Sequence, residues 1–111
     1  LALILTAYSE GKIKLPVIQK LMCENPAEIM KIARRGKLKE GYYADVIVVD
    51  TEKEWIAGVD DTLESKCGWT PYENWKLKGK NIMTVANGEI VYENEKINEN
   101  IKKGKLVEFF E

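Results

Sequence analysis

The chain has 111 residues, 45% of them apolar and 32% charged, which suits one soluble globular unit and leaves little room for two. Its formal net charge of −1 gives no electrostatic footprint for nucleic acid or an anionic membrane, and its longest apolar stretch, Leu1 to Leu5, is far too short to span a bilayer. There is no histidine, the commonest general base and metal ligand, and there are only two cysteines, Cys23 and Cys67.

In chain order, Leu1, Ile4, Leu5 and Tyr8 recur at i, i+3, i+4 and i+7 and predict an amphipathic helix that Gly11 ends. The chain opens on Leu1, directly into this helical pattern, as expected of a piece cut from a longer polypeptide. Pro16 suits the first turn of a second helix, with Val17, Ile18, Leu21 and Met22 as its apolar face. Asn25-Pro26-Ala27-Glu28 predicts a third helix start, with Asn25 as cap, Pro26 at the first position and Glu28 completing a capping box. Ile29, Ile32 and Ala33 then share a face, Arg34 and Arg35 complement the helix dipole, and Gly36 is the expected stop.

Beyond Gly36 the period changes. Ala44 to Asp50 contains four consecutive β-branched residues, Val46 to Val49, and reads as a strand buried on both faces. Glu54 to Ala57 predicts a shorter strand, and Gly58 to Gly79 shows no clear period, being long enough to suggest a functional or mobile loop. Asn87-Gly88 between two apolar runs predicts a two-residue hairpin, because a type I′ turn needs positive φ twice. That turn would pair Ala86 with Glu89, Val85 with Ile90, Thr84 with Val91 and Met83 with Tyr92. Met83, Val85, Ile90 and Tyr92 would then share the core face. Asn94 to Lys103 is polar, and Lys105 to Phe110 reads as a last short extended segment. The order is therefore α+β: three helices, then a β-rich half.

The chemistry-bearing residues are sparse. Asp45, Asp50, Asp60 and Asp61 lack partners at metal-ligand spacing, and Asp60-Asp61 reads as a solvated turn. Cys67 precedes Gly68 with Lys66 beside it, and a lysine can depress a thiol pKa, but without histidine there is no usual base to activate a nucleophile. Cys23 reads as a small packing residue. One disulfide is open to the pair, although nothing resembles a secreted disulfide scaffold, and free thiols in the cytoplasm are expected. No phosphate-binding glycine motif occurs. Trp55, Trp69, Tyr72 and Trp75 could form a stacking surface, but with no basic groove a loop packed on its own aromatics is the expectation.

Several segments, in order, resemble one family. Leu1-Ala2-Leu3-Ile4-Leu5-Thr6 looks like the helix after the last active-site loop of dihydroorotases. Asn25-Pro26-Ala27 and Gly36-Lys37-Leu38-Lys39-Glu40-Gly41-Tyr42-Tyr43-Ala44-Asp45-Val46 are similar to the NPA and G-x-I-x-x-G-x-x-ADL passages of cyclic-amide amidohydrolases. Ser65-Lys66-Cys67-Gly68-Trp69-Thr70-Pro71-Tyr72-Glu73 resembles the SK…TPF segment that marks dihydroorotases, with Tyr72 in place of Phe and Asn74 where a glycine often follows. Gly79 and Val85-Ala86-Asn87-Gly88-Glu89-Ile90-Val91-Tyr92 resemble the closing hairpin.

The resemblance implies the C-terminal fragment of a dihydroorotase in the cyclic amidohydrolase superfamily. Residues 1–35 would be the last helices of a (β/α)8 barrel, and residues 36–111 the C-terminal part of a small β-sandwich. The parent would be a zinc hydrolase interconverting dihydroorotate and N-carbamoyl-aspartate in pyrimidine biosynthesis. Its metal ligands would lie upstream of Leu1. No residue here matches a catalytic, substrate-binding or metal position, so the chain alone is expected to be inactive and to hold no cofactor. Its expected partners are the missing N-terminal barrel portion and further copies of itself, through helices 1–35 or a sheet edge, with no nucleic acid and no membrane. A hydantoinase or allantoinase fragment is one alternative; an independent β-rich interaction module with a helical cap is another.

Overall fold

The computed structural model describes residues 1–61, 63–101 and 104–110. Helix α1 (Ala2–Ser9) ends in a Schellman motif: Gly11 is at φ +73°, its N–H donates to Tyr8, and Lys12 N–H donates to Ala7. Helices α2 (Leu15–Gln19) and α3 (Asn25–Ile29) are joined by a π-helical turn, Lys20–Glu24, so that residues 15–29 form one uninterrupted helical run.

The separate helix start expected at Asn25 is therefore absent. Asn25 and Glu24 both have helical dihedrals, and no side chain caps this point. The reason lies in Pro26. A proline inside a helix lacks an N–H donor and crowds the carbonyl four residues back. Widening the preceding turn to i→i+5 relieves both conflicts and keeps the helix going.

The run also stops at Ile29, four residues short of Ala33, where the expected face would be complete. Lys31, at φ +54°, takes the left-handed position, with Lys31 N–H on Glu28 and Ile32 N–H on Ala27, a second Schellman motif built without glycine. Ile29 is left 78% exposed, and Ile32 sits in an isolated antiparallel bridge with Phe109. Arg34 and Arg35 consequently lie beyond the helix, and Gly36 is a close-contact site: a Cβ there would sit 2.6 Å from Ala27 Cβ and from the Cys23 carbonyl. Cys23 itself is exposed; the packing role belongs to the buried Ala27.

The four strands, β1 (Val46–Ile56), β2 (Lys76–Ala86), β3 (Glu89–Glu93) and β4 (Lys96–Ile97), form one antiparallel sheet in sequence order. The two strands expected between residues 44 and 57 are one strand with irregularities at Val48/Val49 and Asp50/Glu54. Within this sheet β1 pairs only with β2, and Ile47 and Val48 are exposed, so the strand is not buried on both faces. The aperiodic stretch is shorter than expected because β2 begins at Lys76.

Asn87 (φ +52°) and Gly88 (φ +84°) form the expected turn, pairing Ala86 with Glu89 and Val85 with Ile90. A bulge then intervenes, and Thr84 faces Tyr92 while Met83 faces Glu93. One extra residue flips the side-chain alternation, so Tyr92 leaves the face of Val85 and Ile90, and Ile90 is exposed. A second two-residue turn, Asn94-Glu95, adds β4 in a segment read as merely polar.

Helix α1 packs on β2. Leu5 is buried over Gly79, where a Cβ would come within 2.5 Å of the leucine's own Cβ. Thr6 reinforces the contact: its hydroxyl accepts from Lys78 N–H at 3.0 Å and lies 3.2 Å from the Lys78 carbonyl.

Candidate functional site

The four aspartates singled out by sequence are spread over three places, and each holds backbone. Asp50 accepts from Glu52 and Lys53 N–H, closing a bend within β1. Asp60 accepts from Ile56 N–H at 2.7 Å and Asp61 from Gly58 N–H at 2.6 Å, so this turn is tied internally rather than simply solvated. Asp45 accepts from Asn87 N–H at 2.8 Å and pairs with Arg35 through its other oxygen. Among the described residues, no three His, Cys, Asp or Glu side chains gather where they could hold a metal ion. Zinc, the metal the family resemblance implies, prefers nitrogen and sulfur donors. This donor set does not fit it: there is no histidine, and these carboxylates are committed to backbone amides.

Cys67 lies exposed in the loop between β1 and β2, its sulfur 3.4 Å from the Ser65 hydroxyl and 3.7 Å from the Trp69 carbonyl. The thiol is held below its ordinary pKa first by the Ser65 hydrogen bond, then by backbone hydrogen bonds, with desolvation opposing. The neighbour suspected from sequence, Lys66, is not among the causes.

The aromatic residues do not form one surface. Tyr72 and Trp75 meet edge to face with centroids 5.4 Å apart, a contact of the loop with its own rings, although both they and Trp69 remain exposed. The loop is seated by Asn74 N–H on Ala57 and Ala57 N–H on Trp75, with Thr70 and Glu73 against Gly58. Trp55 stands apart: its indole N–H donates to Gly79, and Lys80 lies over its ring at 5.2 Å while bonding Glu95 at 2.8 Å. These residues line an open recess of about 580 Å³, together with Asp60, Asp61 and Glu64. Lys80 and Glu95 pass unnoticed in the sequence because the β3–β4 turn that brings them together carries no glycine.

The most connected cluster is a polar junction at the hairpin tip. Arg35 reaches both Asp45 and the Asn87 side-chain oxygen and stacks on Tyr43 at 4.3 Å. Gly88 N–H donates to the Ala44 carbonyl, and Tyr43 N–H to the Arg34 carbonyl. Arg34 and the Tyr43 hydroxyl both bind Glu108, whose carboxyl is held below the usual range by Arg34 first and Tyr43 second. The residues quoted for NPA, G, AD and NG thus find one another: Ala27 fills the space over Gly36, and Asp45 caps the Asn87-Gly88 tip. Their observed work is architectural.

Among the described residues, this arrangement of helices followed by a four-stranded antiparallel sheet matches part of hydantoinase structures. An L-hydantoinase (dihydropyrimidinase) from Arthrobacter aurescens superposes with a TM-score of 0.74 at 22% identity, over 88% of this chain and 22% of that one. A D-hydantoinase superposes at 0.73 and 20% identity, over 86% and 21%. Residues 2–91 match the model of the Amidohydrolase family, and the chain belongs to that family.

Within the family it is dihydroorotase-like. It is 47% identical over 96 residues to the dihydroorotase of Pyrococcus horikoshii, covering 86% of this chain and 22% of that one. It is 41% identical over 109 residues to that of Pyrococcus furiosus, covering 93% and 26%. The dihydroorotase of Geobacter sp. strain M21 is 41% identical over 93 residues, covering 84% and 21%. The chain thus spans roughly a quarter or less of the length of these relatives.

Proposed function

We propose that the chain is the C-terminal portion of a dihydroorotase, the zinc amidohydrolase that interconverts dihydroorotate and N-carbamoyl-aspartate in cytoplasmic pyrimidine synthesis. The carrying observation is the contrast in identity: above 40% to several dihydroorotases along most of the chain, against about 20% to hydantoinases of the same fold. The Ser65–Glu73 segment, similar to the SK…TPF pattern, points the same way.

In this reading α1 and the 15–29 run border the barrel, and the sheet is the C-terminal share of the sandwich. The chain supplies support and packing, and any metal site would be built from residues of the barrel portion rather than from this chain. The purified 111-residue chain should then show no hydrolysis of dihydroorotate with or without added zinc. Turnover abolished by a chelator would overturn that.

The partner in this reading is the barrel portion. Leu21, Met22, Ile29, Ile47, Val48 and Ile82, all exposed here, supply apolar surface for it to cover. Lacking that cover, the isolated chain should self-associate, with C2 symmetry the commonest outcome. Sedimentation should show species above the monomer, and a clean monomer at high concentration would favour an independent module.

A further inference from the structure

The sheet packs on α1 but hardly touches the 15–29 helical run. What connects that run to the β half is the segment after it, residues 31–45, and the chain's own tail. The tail runs antiparallel to this segment: Ala33 N–H donates to the Glu108 carbonyl at 2.8 Å and Phe110 N–H to the Lys31 carbonyl at 3.0 Å, flanking the Ile32–Phe109 bridge. Lys31 and Arg34 are both held at positive φ, +54° and +57°. Non-glycine residues resist that conformation unless their surroundings impose it. The paired tail is part of those surroundings. Glu108 then latches the pairing from the side, bonding Arg34 and the Tyr43 hydroxyl, with Arg35 and Lys105 stacked on the same tyrosine. Phe110, itself exposed, borders an open recess with Ala27 and Ile32.

We propose that the tail 105–110 is a releasable strap, latched by Glu108 on Arg34 and Tyr43, that fixes the 15–29 helical run relative to the sheet. Two backbone hydrogen bonds and an exposed ion pair place it at the low-stability end of the molecule, where local opening precedes global unfolding. When it opens, Lys31 and Arg34 lose part of their restraint, while the Arg35–Asp45–Asn87 tether remains. Neither the strap nor its test depends on the catalytic reading above.

Two measurements on the full chain test this. In hydrogen exchange, the Ala33 and Phe110 amides of Glu108→Gln should exchange roughly three- to fivefold faster than in the unmodified chain, the scale of an exposed ion pair, with the β1–β2 ladder unchanged. The double variant Arg34→Glu/Glu108→Arg should restore much of the protection. The two native cysteines, both exposed, one on the helical run and one in the β1–β2 loop, accept spin labels directly. The Cys23–Cys67 distance distribution should broaden in Glu108→Gln. Unchanged exchange, or acceleration spread evenly over the ladder, overturns the proposal. So do loosened tail amides with an unchanged distance distribution, because the 105–110 segment then fixes nothing.

Discussion

The two helical regions meet the rest of the chain in opposite ways. Helix α1 lies directly on β2, with Leu5 buried in the space that Gly79 leaves open and Thr6 bonded to the Lys78 backbone. The 15–29 run is tethered at a distance, through Arg35 on Asp45 and Asn87 and through Arg34 on Glu108. One junction is set by steric fit and excludes water; the other is polar, half-exposed and built from charge-assisted bonds. The first resists any added atom, whereas the second is adjustable and weaker per contact.

The steric junction gives the largest expected effect. Gly79→Val places a branched side chain where even a Cβ would overlap Leu5, at φ +95°, and should destabilise by about 3 kcal/mol or more, read as a large drop in Tm. At the polar junction, Asp45→Ala strands the Asn87 N–H and leaves Arg35 without its carboxylate; about 1–3 kcal/mol of destabilisation should appear in denaturant titration. If this variant costs as much as Gly79→Val, the two junctions do not differ in kind. The smallest effect sharpens the comparison from the other side. Lys31→Gly relieves a left-handed non-glycine residue and should stabilise by about 0.5–1 kcal/mol, with its Tm slightly raised. A loss of stability instead would mean that the lysine side chain contributes more than its backbone costs.

Local signals in the sequence suffice where the geometry is local. Gly11 ends α1, and Asn87-Gly88 turns the hairpin, because positive φ at a fixed place has a residue-type signature. The misreadings occur where the cause is not local. Pro26 carries the same missing N–H whether it starts a helix or sits behind a π turn, so the break expected at Asn25 is a continuous run. Lys31 takes a glycine's position, so the helix end is invisible and Gly36 looks like the stop. The start of β2 escapes notice because Gly79, its buried contact, has no side chain to contribute to an apolar alternation. The bulge near Val91 and the pairing of Ile32 with Phe109 are set by distant partners and leave no period at all. The engagement of the carboxylates with backbone amides could come only from the fold, as could the link between Arg34 and Glu108 across 74 positions.

Under the proposed function, this segment has a structural role in a dihydroorotase and does not supply its chemistry. The most direct measurement is a chimera in which this chain replaces the matching segment of the Pyrococcus horikoshii dihydroorotase, with which it shares 47% identity over 96 residues. A folded chimera should hydrolyse dihydroorotate with kcat near that of the parent enzyme, and Asp45→Ala within it should lower Tm while leaving kcat close to unchanged. A chimera that folds but is inactive, or one in which Asp45→Ala abolishes kcat at unchanged stability, would contradict the account.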